Sequence, residues 1–555
     1  MARPLNWHRH WKLAATAAGT VAALALALGG IRVTALTSSD LGSTPIADGS
    51  IVGTVDLFDP SAVHTIEVTF DQAEYEAAVE AFTQDGEKEY IEADVVIDGT
   101  LVEQVGIRLK GNSTLFGLAG DRPGAGGQAP AFGGSGAASA ESPEDLPWLI
   151  HFDEFVDGQT YQGHEQIAVR PGALGSAQST ALNEALALTL IDLAGEPTEE
   201  ASYAALSVNG SEPTLRLLVQ HPDDSFVADN FDSEGILYKA LSGTDGGSFT
   251  YRGEDPLDYA DSFRQVTQKN QEDLAPLIEF IHWVEESSDE GFAAGLEDRL
   301  DVESFARYLA LHNLLLDSDD MSGPGQNYYL LYDLETERFT VVTWDANSTF
   351  RGDAALGPNE SGTIGGPGGM GQFGLPGGGQ TGQLPGGEPP DGFTPPEGFT
   401  PPGGGQTPGG QAGQPPTGGF PGGMDSPGDT ELPDGATGQV PGSRAQTGEQ
   451  VPGGIVQPQG GPQGGGFGMG GHVLKERFLE VAEFQAVYEE AYRDLYRQLF
   501  ADGAALGALE EWAAVLSTVE GGLIDPATLA SEVTQLREVI EARTEALAAD
   551  AVIAG

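Results

Sequence analysis

The sequence contains no cysteine. Disulfides, zinc–thiolate sites, iron–sulfur clusters and thiol nucleophiles are therefore excluded. Positive charge is nearly as scarce: 25 Lys and Arg stand against 84 Asp and Glu, for a formal net charge of −59. A surface of that sign repels nucleic-acid phosphates, so no nucleic-acid partner is expected. Motifs of other chemistries are missing too. The histidines show no H-E-x-x-H spacing, no G-x-S-x-G elbow marks a serine hydrolase, and the acids of Asp317, Asp319 and Asp320 lack the D-x-[DN]-x-[DN]-G pattern of a calcium loop. The strings H-R-D-x-x-x-x-N and D-F-G are absent, and no G-x-G-x-x-G loop joins a strand to a helix in the first half.

Long apolar runs are confined to the start of the chain. Arg3, Arg9 and Lys12, with His8 and His10, precede an uncharged stretch from Leu13 to Ile31. That is about the 20 residues a helix needs to cross a bilayer, and the basic flank would stay in the cytoplasm. Residues 1–36 therefore read as a basic tip and single-pass membrane anchor, with the bulk of the chain extracellular. The other reading is a signal peptide, cleaved to release a secreted protein. Arg32 follows without a small-x-small site, which favours the anchor.

Residues 37–50 form a polar tether, after which alternation predicts strands over 64–70, 93–99 and 102–111 and a helix over 72–82. Residues 117–144 are rich in Gly, Ala and Pro and read as a mobile loop; 148–155 read as a strand, followed by an Asp157-Gly158 turn. A helix capped by Ser179 or Thr180 runs to Gly195, strands follow at 202–210 and 213–220, and helices near 272–285 and 301–316. Residues 357–471 change character: Pro, Gly and Gln dominate, and such a segment cannot bury enough surface to offset its ordering entropy. It is expected to be a disordered insertion. Helical periodicity resumes over 472–500 and again near the C-terminus, so 472–555 should pack back on the domain begun by 37–356.

Chemistry concentrates between 301 and 350. A helix leads to an acidic loop with Asp317, Asp319 and Asp320, then Asn327, then a hairpin whose second strand ends at Asp345. Protein kinases use this order of parts: a loop Asp for the acceptor hydroxyl, an Asn for metal, and a hairpin-borne Asp for the bridging Mg²⁺. Carboxylates and an amide are hard oxygen ligands suited to that ion. A solvated acidic loop beside a core Trp344 accounts for the same residues.

The string GQNYYLLYDLETERFTVVTWDANSTF resembles the hallmark of the spore coat protein CotH kinase family. So do VGIRLKGNST (105–114), FDEFVDGQTYQG (152–163), EGILYKA (234–240) and LKERFLEVAEFQAVYEEAY (474–492), in family order. The resemblance implies an α+β, atypical protein-kinase-like two-lobed fold. It implies a secreted or surface enzyme that moves phosphate from ATP to Ser or Thr of a protein substrate with Mg²⁺ or Mn²⁺. It makes Asp319, eight positions before Asn327, the catalytic residue, and Asn327 and Asp345 the metal-side residues. Arg108, with Lys110, would touch phosphate, Asn347 would support the loop or metal, and Glu184 either takes the place of a lysine-pairing glutamate or is an exposed acid on an amphipathic helix. Leu149 occupies the strand position where family members carry a lysine, with Lys110 or Arg170 as possible substitutes. Gln220 ends a strand where an acid is common. These departures leave a second reading: a catalytically impaired pseudokinase serving as a surface scaffold or adhesion protein. The oligomeric state is left open.

Overall fold

A computed structural model describes residues 50–111, 115, 118, 139–171, 180–241, 249–269, 273–323, 325–360, 471–519 and 521–555. The membrane-anchor reading lies outside the described residues, as do most of the loop read over 117–144 and nearly all of the insertion read over 357–471. Among the described residues no helix is long and apolar enough to cross a membrane.

The chain is α+β. Strand β1 (Ser50–Ile51) is short, and β2 (Val63–Phe70) alternates buried and exposed side chains as predicted. Helix α1 (Gln72–Asp85) starts where Asp71 accepts the Ala73 and Glu74 amides, and stops at Gly86 with φ 79°. Strands β3 (Ile91–Ile97) and β4 (Thr100–Leu109) meet at Asp98-Gly99, both with positive φ (48° and 80°), the requirement of a two-residue hairpin turn. Next come β5 (Trp148–His151), β6 (Thr160–Tyr161) and β7 (Gln166–Val169). The strand predicted to reach residue 155 ends at His151, because Asp153 turns the chain by accepting the Gly158 amide.

Helix α2 (Leu182–Ala194) is buried along most of its length. Its predicted cap is corrected. Ala181, φ 55°, holds the N-cap without a side-chain bond; Thr180 donates its hydroxyl to Glu532, and Ser179 lies outside the described residues. Strands β8 (Ala201–Val208) and β9 (Thr214–Gln220) complete a seven-stranded closed barrel in the order β2-β3-β4-β5-β7-β9-β8. Neighbours are antiparallel except β2 and β8, whose parallel pairing (Val63 opposite Tyr203) closes it. Ile66, Val68, Val95, Ile97, Val105, Ile107 and Ile150 fill the interior, each contributing about 1.5–3 kcal/mol by burial.

After helix α3 (Asp224–Asn230), a second sheet has the order β11-β10-β12-β13, built from β10 (Gly235–Ala240), β11 (Phe263–Gln265), β12 (Tyr328–Asp333) and β13 (Phe339–Thr343). Between β11 and β12 lie α4 (Ala275–Glu286), α5 (Asp289–Gly295) and α6 (Val302–Leu314), the last capped by Asp301. The helix predicted as one piece over 472–500 is two, α7 (Val473–Glu480) and α8 (Ala482–Leu495), broken at Val481 in extended conformation (ψ 114°). Helices α9 (Ala504–Ser517) and α10 (Pro526–Ala548) follow. Helix α8 packs along α6, and α9 along α2. Arg543 of α10 is 1% exposed and donates to the Asn313 carbonyl (3.0 Å), the Asn313 side chain (2.7 Å) and the Tyr492 hydroxyl (2.9 Å), sealing the end of α6.

Candidate active site

The acidic loop leaves α6 through Leu316, whose φ of 52° redirects the chain. His312, on the last turn of α6, bonds through Nδ1 to the buried Asp317 carboxylate (2.8 Å) and through Nε2 to the Thr343 hydroxyl (3.1 Å). It ties the loop to the end of β13. Asp317 in turn accepts the Asp319 amide (3.0 Å). One oxygen of Asp319 accepts the Gly325 amide (2.6 Å) and the other the Asn327 side-chain N–H (3.1 Å). Two glycines make room for this loop: a Cβ on Gly323 would stand 2.5 Å from the Asp319 Cα, and one on Gly325 would overlap the Asp319 carboxylate. Burial pushes Asp319 up to about 6; the charges of Asp317, Asp345 and Asp320 add to this, and the Gly325 amide opposes it.

Asp345 follows β13 and Trp344 in left-handed backbone, φ 58°. Asp and Asn tolerate that conformation better than most residues. Asn347 donates to the Asp345 carboxylate (2.7 Å), and the Asn347 carbonyl accepts from Asn183 of α2 (2.8 Å). Phe350 N–H returns to the Leu315 carbonyl (2.7 Å). Both the Asp319 and Asp345 loops are thus fastened to α6, and the second also to α2.

Arg170, just past β7, joins the Asp345 loop to α2. Its guanidinium contacts Glu184 of α2 and lies 3.2 Å from Asp345. Glu184 is 1% exposed; burial pushes its carboxyl up to about 7, against the pull of Arg170. Burial works against the Arg170 cation as well, but Asp345, Glu184 and Glu199 outweigh it and hold the guanidinium protonated. The direct contact favours an ionised pair, while the enclosure of Glu184 makes that pair costly. Glu199 is buried beside them with neither carboxylate oxygen bonded to another side chain, and burial raises it to about 8.

Trp344 is the floor of the site. Lys110 Nζ lies 4.5 Å from its ring centroid, Arg170 5.5 Å and Lys239 5.7 Å. Tyr329 and His221 meet the ring edge-on at 5.4 and 5.5 Å. Burial depresses Lys110 and Lys239 to about 7 each, with Asp345 pulling both back up. Three basic side chains thus gather around one aromatic ring in a chain poor in cations.

Of the residues picked from sequence, Asp319 and Asn327 bond to each other, and Glu184 and Asp345 meet on Arg170. Lys110 joins them over Trp344. Arg108 has its guanidinium over Tyr90 (5.2 Å) and donates to the Leu109 carbonyl, so its contacts belong to the barrel wall. Leu149 is fully buried in β5 opposite Arg108. Sequence reasoning missed Lys239, Glu199 and His312. Lys239 had a signal, as a lone cation in the apolar strand GILYKA; Glu199 and His312 had none, since their meaning depends on partners far along the chain.

Among the described residues no group of three or more His, Asp or Glu is arranged to hold a metal ion by itself. The donor set nonetheless suits Mg²⁺, which binds through one or two protein oxygens and completes its shell with phosphate and water. The Asp345 side chain is a quarter exposed, and Asn327 spends its N–H on Asp319 and keeps its carbonyl oxygen.

Residues 131–374 match the family model described as CotH kinase protein. The match covers less than half of the chain, beginning after β4 and ending before α7. No curated protein matches the sequence.

Proposed function

We propose that this chain, whose residues 131–374 match the CotH kinase family model, is an extracytoplasmic protein kinase, held at the membrane by residues 1–36. It would transfer the terminal phosphoryl group of ATP to Ser or Thr of a protein acceptor, from a kinase-like two-lobed fold whose lobes are the barrel and the helix-rich remainder. The observation that carries the reading is Arg170, which contacts a helix glutamate and the hairpin aspartate at once. That contact supplies the phosphate-side cation missing at Leu149.

Each residue then has a task. Lys110, Arg170 and Lys239 hold the phosphates over Trp344. Asn327 and Asp345 would hold Mg²⁺ or Mn²⁺, which supplies charge neutralisation between phosphate oxygens. Asp319, its oxygens oriented by Gly325 and Asn327, accepts the proton of the acceptor hydroxyl as that oxygen bonds to phosphorus and ADP leaves. With the carboxyl raised to about 6, it is ionised for most of the time at pH 7 and close enough in basicity to exchange the proton.

The test is label transfer from γ-labelled ATP to a mixed Ser/Thr protein acceptor with Mg²⁺ or Mn²⁺, comparing the natural chain with Asp345→Ala. Metal-dependent transfer that the substitution abolishes is expected. An active Asp345→Ala protein sinks the assignment, and nucleotide binding without transfer under any metal leaves the scaffold reading in its place.

A further inference from the structure

The loop between Asp319 and Asn327 has two ends, and one short helix outside the family-matched segment holds both. At the near end, Lys475 of α7 places its ammonium 2.7 Å from the Asp320 carboxylate. At the far end, His472, the residue before α7, bonds through Nε2 to the Tyr328 hydroxyl (3.1 Å) and packs against Phe249, ring centroids 4.8 Å apart. Asp320 adjoins Asp319, and Tyr328 adjoins Asn327. The helix itself is fastened to α4: Arg477 donates to the Val284 carbonyl, to the Ser287 hydroxyl (3.0 Å) and to the Ser287 carbonyl (2.9 Å).

Asp320 shapes the turn. Its carboxylate accepts the Ser322 amide (2.8 Å) and its carbonyl the Gly323 amide (2.9 Å). This is the turn that brings the Gly325 amide onto Asp319. Asp320 is nearly enclosed, 7% exposed, and burial by itself would raise its carboxyl; Lys475 and His312 outweigh burial and hold it below the usual range. A buried carboxylate stripped of its cation either takes up a proton or moves toward water, and both outcomes disturb the turn.

We propose that Lys475 is a positioning residue, which by pairing with Asp320 keeps the 319–327 loop in the shape that presents Asp319 to the acceptor, while His472 anchors the other end through Tyr328. The proposal rests on the kinase reading for what Asp319 does, and on geometry alone for what Lys475 does. It extends the working unit past residue 374, since α7 supplies contacts that the matched segment lacks.

The experiment uses the full chain and the variants Lys475→Met, Lys475→Arg and Asp320→Asn. Two quantities are read: amide hydrogen exchange over residues 319–328, including Gly325, and turnover of ATP with a protein acceptor. Lys475→Met should raise exchange in this segment tenfold or more and lower kcat on the order of 100-fold, the scale of a misplaced reacting group, with KM for ATP unchanged. Lys475→Arg should restore both. Asp320→Asn, which leaves the partly exposed lysine free to turn to solvent, should move both in the same direction and serves as the probe if Lys475→Met does not fold. Unchanged exchange in the folded variants overturns the proposal, as does a loss of turnover that Lys475→Arg does not restore. A natural chain that transfers no label overturns the kinase reading instead, and exchange alone then decides whether Lys475 holds the loop.

Discussion

Arg170→Met removes the cation between Glu184 and Asp345 while keeping much of the side chain's bulk. Glu184 is 1% exposed, so the substitution leaves a buried carboxylate without its partner. A stranded carboxyl of this kind takes up a proton, so the loss grows with pH toward the ~3–5 kcal/mol of an uncompensated buried charge; Asp345, a quarter exposed, adds less because water screens it. The loss carries a pH signature. In the natural protein burial raises the Glu184 carboxyl from an ordinary 4.5 to about 7. A raised carboxyl contributes stability that is full below its unfolded value and is lost as pH rises to its folded value, after which the contribution is flat. Without Arg170 the folded value climbs further, so the variant goes on losing up to about 1.4 kcal/mol per pH unit above pH 7, where Glu184 in the natural protein has stopped contributing a slope. Glu199, which also feels Arg170, shifts in the same direction. Urea unfolding followed by tryptophan fluorescence at pH 6, 7, 8 and 9 measures the difference. A stability gap below about 1 kcal/mol at pH 8, or one that does not widen from pH 6 to 9, would refute the reasoning.

Other outcomes follow from the same geometry. Lys110 and Lys239 are depressed to about 7 and regain their protons when a polyanion arrives, so binding of ATP or tripolyphosphate should take up protons at pH 8. Affinity should then fall by up to about tenfold per pH unit per lysine between pH 7 and 9, and calorimetry in buffers of different ionisation enthalpy would detect the uptake; proton-neutral binding contradicts it. Gly325→Ala puts a methyl group onto the Asp319 carboxylate. It should lower kcat on the order of 100-fold while moving the melting temperature by only a few degrees, whereas a variant with natural turnover would show that the Asp319 setting is not required.

Period-two alternation made β2 and β3 visible because one side of each faces a barrel interior and the other faces away; in β4 it is interrupted at Gln104, whose φ is 57°. The hairpin of β12 and β13 was legible for a different reason: its turn residues separate two apolar runs, and Asp345 stands just past the second. Strand β7 was not legible, since all four of its residues, Gln166 included, are buried and so short a buried run has no period. That concealed the standing of Arg170, which became clear only when the barrel set it against α2. Periodicity ran straight through Val481 because α7 and α8 bury side chains in one core, so the break leaves no trace in the pattern. Thr180 looked like a helix cap on local grounds, while its hydroxyl in fact bonds Glu532, a partner 352 positions away.

Arg543 closes onto the end of α6 across a separation of 230 positions. During synthesis, the segment that carries Asp319 is made long before the helix that seals it. The carbonyls of Asn313 and Leu314 must wait for an arginine 230 and 229 positions downstream. Contacts of such long range form late and slowly. A nascent chain that has not yet reached Arg543, or one clipped before it, therefore holds its acidic loop on an unfinished foundation.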